Sequence, residues 1–599
     1  MKTNWSYKAQ TSLTEDEIGQ LASDCEISQA FAKILANRGY DTKEAVDKYL
    51  FRDKTFVGYD GNLMLDMANA CEIMCNAIKD GKRIRIVADY DVDGVTSSYI
   101  FLKGFERVKE AYKSTAIVDY YLPHRIHDGY GINENIVKTA YNDGVELIIT
   151  CDNGIAAMEA AELAKNLNIA YVITDHHEPK DELPEALAVV DPHRESDPYP
   201  FKDICGAVVA YKLVEQMYKK AGVDRNRLPE LFAYAALGTV CDVMPLVDEN
   251  RYIVKRGLVF LRNQLKKGEA DIGMTSLVNA LELTADDVDC LAFGFRIGPS
   301  INAAGRLSNA KWALKLLLEN DKTMADKRAI SITKLNEIRK KITASAVNSA
   351  MEMVAEHPDD KVLVIYVDKC HESVAGIVAG RIREAVNKPT LILTKSKTKG
   401  VLKGSARSIE KYNMFESLKE FEHLFIKFGG HKMAAGFSIL EENLDALRDG
   451  LNEKADLSYE DFELKLDIDM LMELDDISVD FANEIELMEP CGTANERPIF
   501  ATNNVLLKDG KILGKNHNFI KMNLLTSNSD LIEGVKFMEP PEEFFEELNE
   551  ACDEDVFSRF DRGDELKLLV DIVYKPKVNE FRGTIKAQAD LLAIRPSNI

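Results

Sequence analysis

Three observations lead us to expect an α/β architecture. Between about residues 60 and 200, short apolar runs alternate with helical patterns such as Ala156 to Leu167, the signature of a doubly wound parallel sheet. Those runs end, one after another, in acidic and imidazole clusters, and the ligand of such a sheet sits outside the carboxyl ends of its strands. Further on, Val505-Leu506-Leu507, Phe519 to Leu524 and Leu566 to Ile572 read as strands of a small β-barrel.

In chain order, residues 1–60 read as an N-terminal segment of short helices, among them Ser28 to Gly39. Residues 61–270 carry the sheet. Ile84 to Ala88 runs into Asp89-Tyr90-Asp91-Val92-Asp93-Gly94, and Leu147 to Thr150 leads to Asp152-Asn153-Gly154. Tyr171 to Thr174 meets Asp175-His176-His177, and Gly238-Thr239-Val240-Cys241 meets Asp242. Residues 271–357 are a helical region ending in Lys322 to Glu356, which holds neither Gly nor Pro and is expected to join two domains as one long charged helix. A smaller α/β unit is expected over 358–455, with strands at Val362 to Val367 and Thr390 to Leu393, the first leading to His371-Glu372-Ser373. Residues 456–599 hold the barrel.

A chain of 599 residues is too long for one core, so three or four domains are expected. Its 46% hydrophobic and 29% charged content is that of a globular protein, with no apolar run long enough to span a bilayer and no secretory-type apolar stretch at the start. The 10 cysteines form no Cys-x-x-Cys pair, and Cys71 and Cys75 on a helical stretch are expected to be buried. A reducing cytoplasm fits. The net charge of −24 argues at first against nucleic acid, whose phosphates are bound by Lys and Arg. Whole-chain charge does not locate a groove, however. Much of the acid lies in the strand-end clusters and in Pro540 to Glu565, which reads as a solvated helix face.

Carboxylates packed this densely repel one another unless protonated or bridged by cations. An Asp/His set without thiolates suits Mn²⁺ or Mg²⁺. On an extended backbone Asp89, Asp91 and Asp93 would face one side, with Gly94 turning the chain and Thr96, Ser97 and Ser98 opening a helix suited to a phosphate. A calcium loop of similar pattern needs Glu at its twelfth position, which here is Ile100, and a helix rather than an apolar run before it. Singly, Asp152-Asn153-Gly154 is a turn, Arg125 a surface ion pair, Gly429-Gly430 a tight turn and Arg306 a helix cap. Four acid/imidazole sites at consecutive element ends change that balance. Two cations about 4 Å apart could share a carboxylate, activate water and neutralise a phosphoryl oxygen for in-line attack. No Gly-x-x-x-x-Gly-Lys-Ser/Thr loop is present, which excludes an ATP-driven motor. The residues point to a metal-dependent hydrolase.

Asp89 to Ser97 and Asp175-His176-His177 resemble motifs of the DHH phosphoesterase family. Gly298 to Arg306, Gly404 to Ile409, Gly429 to Gly436 and Glu489 to Asn495 extend the resemblance, over nearly the whole chain, to the RecJ group of single-strand-specific 5′→3′ exonucleases. The resemblance implies a DHH domain over 61–270, a DHH-associated domain over 358–455 and an OB-type barrel. It implies two divalent cations, Mn²⁺ or Mg²⁺, held by Asp89, Asp91, Asp93, Asp152, His176 and Asp242, with Asp152 bridging. Asp89, Asp152, His177 and His431 would serve catalysis, His177 by orienting ligands or contacting the phosphate. Arg125, Arg306, His371, Gly429, Gly430 and His431 would contact substrate, and Ser405 and Arg407 the DNA 5′ phosphate. The implied activity is release of 5′ mononucleotides from single-stranded DNA in repair and recombination, beside a helicase and single-strand-binding protein. The alternatives are a DHH phosphodiesterase for short oligonucleotides or cyclic dinucleotides, and a non-catalytic replication scaffold. Three positions depart from the group's pattern: Ser300 for Arg, Ala88 for Gly, and the segment Cys370 to Gly376 around His371.

Overall fold

A computed structural model describes residues 3–52, 56–514, 517–538, 540–552, 555–581 and 583–597. Residues 1–2, 53–55, 515–516, 539, 553–554, 582 and 598–599, which fall within the N-terminal segment, the acidic stretch and the barrel drawn from sequence, lie outside the described residues. The chain divides into two compact units, one of residues 57–458 with 492–494, the other of 1–56 with 459–491 and 495–599.

The larger unit opens with five parallel strands. Ile117–Tyr121 lies at one edge, followed in space by Arg83–Ala88, Leu147–Cys151, Ala170–Thr174 and Ala188–Val190. Every residue of Leu147–Cys151 is buried, as expected of a central strand covered on both faces. Helices Glu134–Asn142 and Met158–Asn166 cover the face carrying Val87, Ile148 and Ile173. Helices Met67–Lys79, Val92–Tyr112 and Gly206–Ala221 pack together and onto the sheet elsewhere. Cys71 and Cys75 lie on the buried side of Met67–Lys79, and all ten cysteines are free thiols. Strand order reverses between Arg83–Ala88 and Leu147–Cys151, so the crevice between their carboxyl ends is the topological switch point where such sheets bind ligands.

Helix Val92–Tyr112 starts earlier than Thr96. Asp91 is its N-cap, accepting a hydrogen bond from the Gly94 N–H at 3.0 Å, so the chain leaves extended geometry before Asp93. Thr96, Ser97 and Ser98 are buried inside it and do not form its opening. Gly94 is required by close approach: a Cβ there would lie 2.3 Å from the Asp89 carbonyl oxygen. Ala88 stays in its strand without positive φ. Asp242 caps the C-terminus of helix Pro229–Cys241 and does not follow a strand.

Lys322–Glu356 is a single 35-residue helix. Ala325, Ala329, Ile332, Asn336, Arg339, Thr343, Ala346 and Ala350 form its buried stripe, spaced alternately four and three apart as one helix face demands. It leads to a five-stranded sheet in which only Leu363–Tyr366 and Thr390–Lys395 pair in parallel. Val401–Arg407, Ala434–Leu440 and Phe425–His431 continue it antiparallel.

In the other unit, Phe500–Leu513, Phe519–Leu525, Leu531–Phe537, Thr584–Pro596 and Leu568–Phe581 pair in a closed ring, an OB-type barrel. The N-terminal segment belongs to this unit. Its first described strand, Thr3–Tyr7, pairs with Leu464–Ile468, and Phe31, Ile34 and Leu35 share a core with Phe481, Phe500 and Tyr574. The interleaving reflects the amphipathic helix Gln29–Asn37, whose apolar face needs a partner that the preceding residues alone are too few to supply. No helix among the described residues is long and apolar enough to cross a membrane.

Phe31 is fully buried in that shared core. Phe31→Ala is expected to destabilise the barrel unit by about 3–5 kcal/mol. The check is urea unfolding in a Trp312→Phe background, where Trp5 alone reports on this unit. A midpoint equal to that of the parent would contradict the shared core.

Candidate metal centre and phosphate cavity

The acid and imidazole groups converge at the switch point. Ligand atoms of Asp89, Asp91 and Asp152 lie within 4.8 Å of one another, as do those of Asp93, His176 and Asp242, and those of Asp152, His176 and His177. Asp152 and His176 link the groups: His176 Nε2 is 3.2 Å from Asp152 Oδ1 and 3.6 Å from both Asp93 Oδ2 and Asp242 Oδ2.

Local structure aims each group. Asp152 takes the left-handed conformation at φ 59°, which turns its carboxylate into the crevice. The adjacent Asn153 ties the crevice floor together, donating to Val87 O and Cys151 O while accepting from Ile132 N–H. Asp93 accepts from the N–H groups of Gly206 at 2.6 Å and Ala207 at 2.9 Å, the positive N-terminus of helix Gly206–Ala221. Asp242 sits at a helix C-terminus, where the dipole adds to the repulsion. A backbone hydrogen bond with Ile204 steadies the His176 ring.

Burial and like charge make this cluster costly. Burial first, and then Asp91, hold Asp89 well above the usual carboxylate range and push Asp93 up to about 6. Burial followed by Asp93, Asp91 and Asp89 raises Asp152 as well, and burial followed by Asp93 takes Asp242 to about 8. Burial depresses His176 to about 3, leaving a neutral imidazole with Nε2 facing carboxylates. A divalent cation relieves both penalties, and the oxygen-rich donor set with one or two imidazoles fits Mn²⁺ or Mg²⁺. The neighbouring thiols of Cys151 and Cys205 are pushed upward by burial and offer no thiolate to a softer ion.

His177 differs from its neighbour. Burial works against its charge, but the Asp175 carboxylate 2.7 Å from Nδ1 outweighs it and raises the imidazole to about 9. Its Nε2 lies 3.1 Å from the Tyr130 hydroxyl oxygen, and that hydroxyl donates its proton to Asp152 O at 3.3 Å. Asp175 is itself held by the N–H groups of Ile155, His176 and His177.

Beside the acids lies a cavity of about 510 Å³ with the opposite charge. Arg125, Arg306, Lys403, Arg407 and Lys427 line it, against one carboxylate, Glu372, which pairs with Lys403 at 2.9 Å. Arg125 stacks over Tyr90 at 3.9 Å, and its charge acts on Asp89. Arg306 donates to Ser373 O at 2.8 Å; burial, then Arg125 and Arg339, bring it down to about 10. Arg125 Nε is buried without a hydrogen-bond partner among the described residues, and the Arg306 hydrogen bond goes to a neutral carbonyl, so neither charge is matched there by a carboxylate. Arg407 Nη1 reaches Ser405 Oγ at 3.5 Å. A Cβ at Gly376 would come within 2.9 Å of both Arg407 Nη2 and Ser405 Oγ.

Of the residues singled out by sequence, Arg125, Arg306, Ser405, Arg407 and Gly429 line this cavity. Gly429 and Gly430 lie within the strand Phe425–His431 and do not form a turn. His371, Gly430 and His431 are outside the lining: His371 Nδ1 bonds Ser373 Oγ at 2.7 Å, and exposed His431 accepts from Met433 N–H. Ser300 is buried, donating to Arg296 O and accepting from Asn336 on the long helix. Sequence reasoning missed Tyr90, Tyr130, Asn153, Lys403 and Lys427. For Tyr130 the available signal was its pair of flanking glycines, Gly129 and Gly131, both at positive φ.

Three family models match: the DHH family N-terminal domain over residues 83–239, the DHHA1 domain over 359–456 and the RecJ OB domain over 468–592. A single-stranded-DNA-specific exonuclease RecJ of Bacillus subtilis is 36% identical over 522 residues, covering 86% of this chain and 64% of that protein. One from Dickeya dadantii is 30% identical, covering 88% of this chain and 90% of its own length. Among solved structures, RecJ from Thermus thermophilus in complex with Mn²⁺ superposes with a TM-score of 0.80 over the whole chain and 80% of its own, at 24% identity. An exonuclease RecJ bound to manganese gives 0.55 at 31% identity, covering 65% of this chain and 94% of that one.

A Cβ at Gly238 would approach Asp93 Oδ1 to 2.6 Å. Gly238→Ala is therefore expected to weaken Mn²⁺ binding by about tenfold or more, as disturbing a ligand's support does. Calorimetric titration checks it, and undiminished affinity would show that Asp93 takes no part in holding the ion.

Proposed function

This chain belongs to the RecJ family of DHH phosphoesterases, and from that premise we propose that it hydrolyses single-stranded DNA from the 5′ end, releasing 5′ mononucleotides. The observation that carries the reading is the adjacency of three overlapping groups of acid and imidazole side chains to a cavity lined by five cations. The groups account for hydrolysis at phosphorus, the cavity for holding a polyanion in a chain whose net charge is −24.

In this reading Asp89, Asp91 and Asp152 would hold one divalent cation, and Asp93, His176, Asp242 and Asp152 the other. Such a pair, when bound, supplies an activated water and neutralises charge on the phosphoryl oxygens. The protein's own groups position the reactants. His177, kept protonated by Asp175, adds positive charge at the edge of the acid cluster. Arg125 and Arg306 draw the backbone phosphates toward it. Arg407, with Ser405, receives the terminal 5′ phosphate, where a guanidinium can bond two oxygens at once. Strand Phe425–His431 brings Gly429 to the cavity wall, close enough for its backbone to meet the nucleotide, with His431 at the strand's end. The barrel is a second single-strand-binding surface, and its stacked pair Phe519–Phe537, ring centroids 4.4 Å apart with Phe537 71% exposed, supports base stacking there.

A free 5′ single strand must be supplied by another activity. We therefore include a helicase and a single-strand-binding protein as partners, in repair and recombination. The ten free thiols support the cytoplasm as the place of work.

A strand labelled at both ends and incubated with Mn²⁺ is expected to lose its 5′ label first, as mononucleotide, with no release by Asp152→Ala. An intact strand alongside a cleaved dinucleotide would instead assign the protein to short substrates. Arg407→Ala is expected to raise KM for a 5′-phosphorylated strand about tenfold to a hundredfold, the loss of a charged hydrogen bond, and to change it far less for a 5′-hydroxyl strand. Equal effects on both would remove Arg407 from the terminal-phosphate role. Strand binding should weaken with salt at a logarithmic slope of about −0.7 per phosphate neutralised. A slope near zero would contradict the cationic path.

A further inference from the structure

The segment that delivers Arg306 begins irregularly. Phe293–Ile297 is a π-helical turn, a rare form that recurs at functional sites, and it runs directly into helix Gly298–Leu307. The turn rests on the end of helix Pro229–Cys241. Cys241 Sγ donates to Phe293 O at 3.4 Å, a Cβ at Gly298 would lie 2.3 Å from that sulfur, and one at Gly294 would lie 3.8 Å from Val240 Cγ1. The same helix end carries Asp242, and the next residue, Val243, sits at φ 59°. A β-branched residue takes that conformation only where its surroundings impose it.

These two irregular segments share a consequence. Phe295 is 74% exposed, Leu291 65% and Val243 65%. An isolated exposed apolar residue is ordinary. Here Phe295 and Val243 are offered by two uncommon backbone arrangements whose segments touch, Leu291 lies in the helical turn just before Phe293, and Val243 directly follows Asp242 of the acid cluster. Phe295 and Arg306 are eleven residues apart along helical backbone, about 16 Å at 1.5 Å per residue. One continuous piece of chain thus presents an apolar aromatic surface at one end and a phosphate-seeking guanidinium at the other.

We propose that Phe295 is a ledge on which a nucleobase of the single strand stacks, on the 3′ side of the bond to be cut. This rests on the exonuclease reading, in which the terminal 5′ phosphate lies toward Ser405 and Arg407, so the strand still to be digested passes the other end of the segment. Stacking suits the task because every base offers a π face, so grip does not depend on sequence. It also fixes the strand by a contact independent of its charge, complementary to the cations of the cavity.

The test uses 5′-phosphorylated strands with one 2-aminopurine placed in turn at each of the first several positions, bound with Ca²⁺ replacing Mn²⁺ so that they stay intact. Wild type should quench the fluorophore most at a position downstream of the terminal nucleotide. Phe295→Leu keeps apolar bulk but no π face; it should abolish that local quenching and weaken strand binding about tenfold. Phe295→Trp should retain both. Equal Mn²⁺ affinity in the three proteins, by calorimetry, shows that the acid cluster is intact. Quenching unchanged by Phe295→Leu, or uniform along the strand, would overturn the ledge and leave that surface to a protein partner. Wild type that neither binds nor cuts a single strand would overturn the exonuclease reading and the ledge with it, whereas normal cutting with unaltered quenching overturns the ledge alone.

Discussion

Repulsion among the carboxylates gathered around Asp152 is the constraint on which the rest of this structure depends. Asp89, Asp93 and Asp152 are almost wholly buried, and Asp242 joins them at a helix C-terminus that disfavours negative charge. Hydrophobic residues of similar size would cost far less there. The surrounding fold is arranged to hold the group nonetheless: two strand ends at the switch point, one helix N-terminus against Asp93, and a left-handed Asp152 braced by Asn153. Divalent cations would offset that repulsion and, in the proposed reading, make the cluster the place where a phosphodiester is attacked.

The cation-lined cavity answers the acids. Five basic side chains facing a single carboxylate form a local field opposite to that of the whole chain, and Arg125 and Arg306 carry it to the edge of the metal cluster. Such a field draws an anion into the cavity even in a chain whose net charge is −24. The long helix Lys322–Glu356 connects the domain bearing the acids to the domain bearing Ser405 and Arg407, and its buried stripe packs Asn336 onto Ser300 in the helix Gly298–Leu307 that carries Arg306.

Much of this was legible in the sequence because it is local. Strand runs such as Ile84 to Ala88 and Leu147 to Thr150 are dense in β-branched residues, and Lys322 to Glu356 lacks any helix breaker. The acids that converge were also visible, since each follows an element end. What could not be read depends on contacts distant in sequence. Asp91 caps a helix that the Asp-x-Asp-x-Asp pattern alone renders as an extended strand, and Asp242 follows a helix whose apolar residues look strand-like. The N-terminal helices share a core with residues more than 400 positions later, beyond the reach of any periodicity. Lys403 and Lys427 become cavity walls only through antiparallel pairing of their strands with Ala434–Leu440. Tyr130 acquires a partner only when its loop folds over His177.

In the proposed reading the acids would form a two-cation cage sharing Asp152. Anomalous X-ray scattering at the manganese edge, from crystals of the full chain grown with Mn²⁺, tests it most directly. Two peaks are expected, one bounded by Asp89, Asp91 and Asp152 and the other by Asp93, His176, Asp242 and Asp152. A single peak away from Asp152, or none at saturating Mn²⁺, would contradict it.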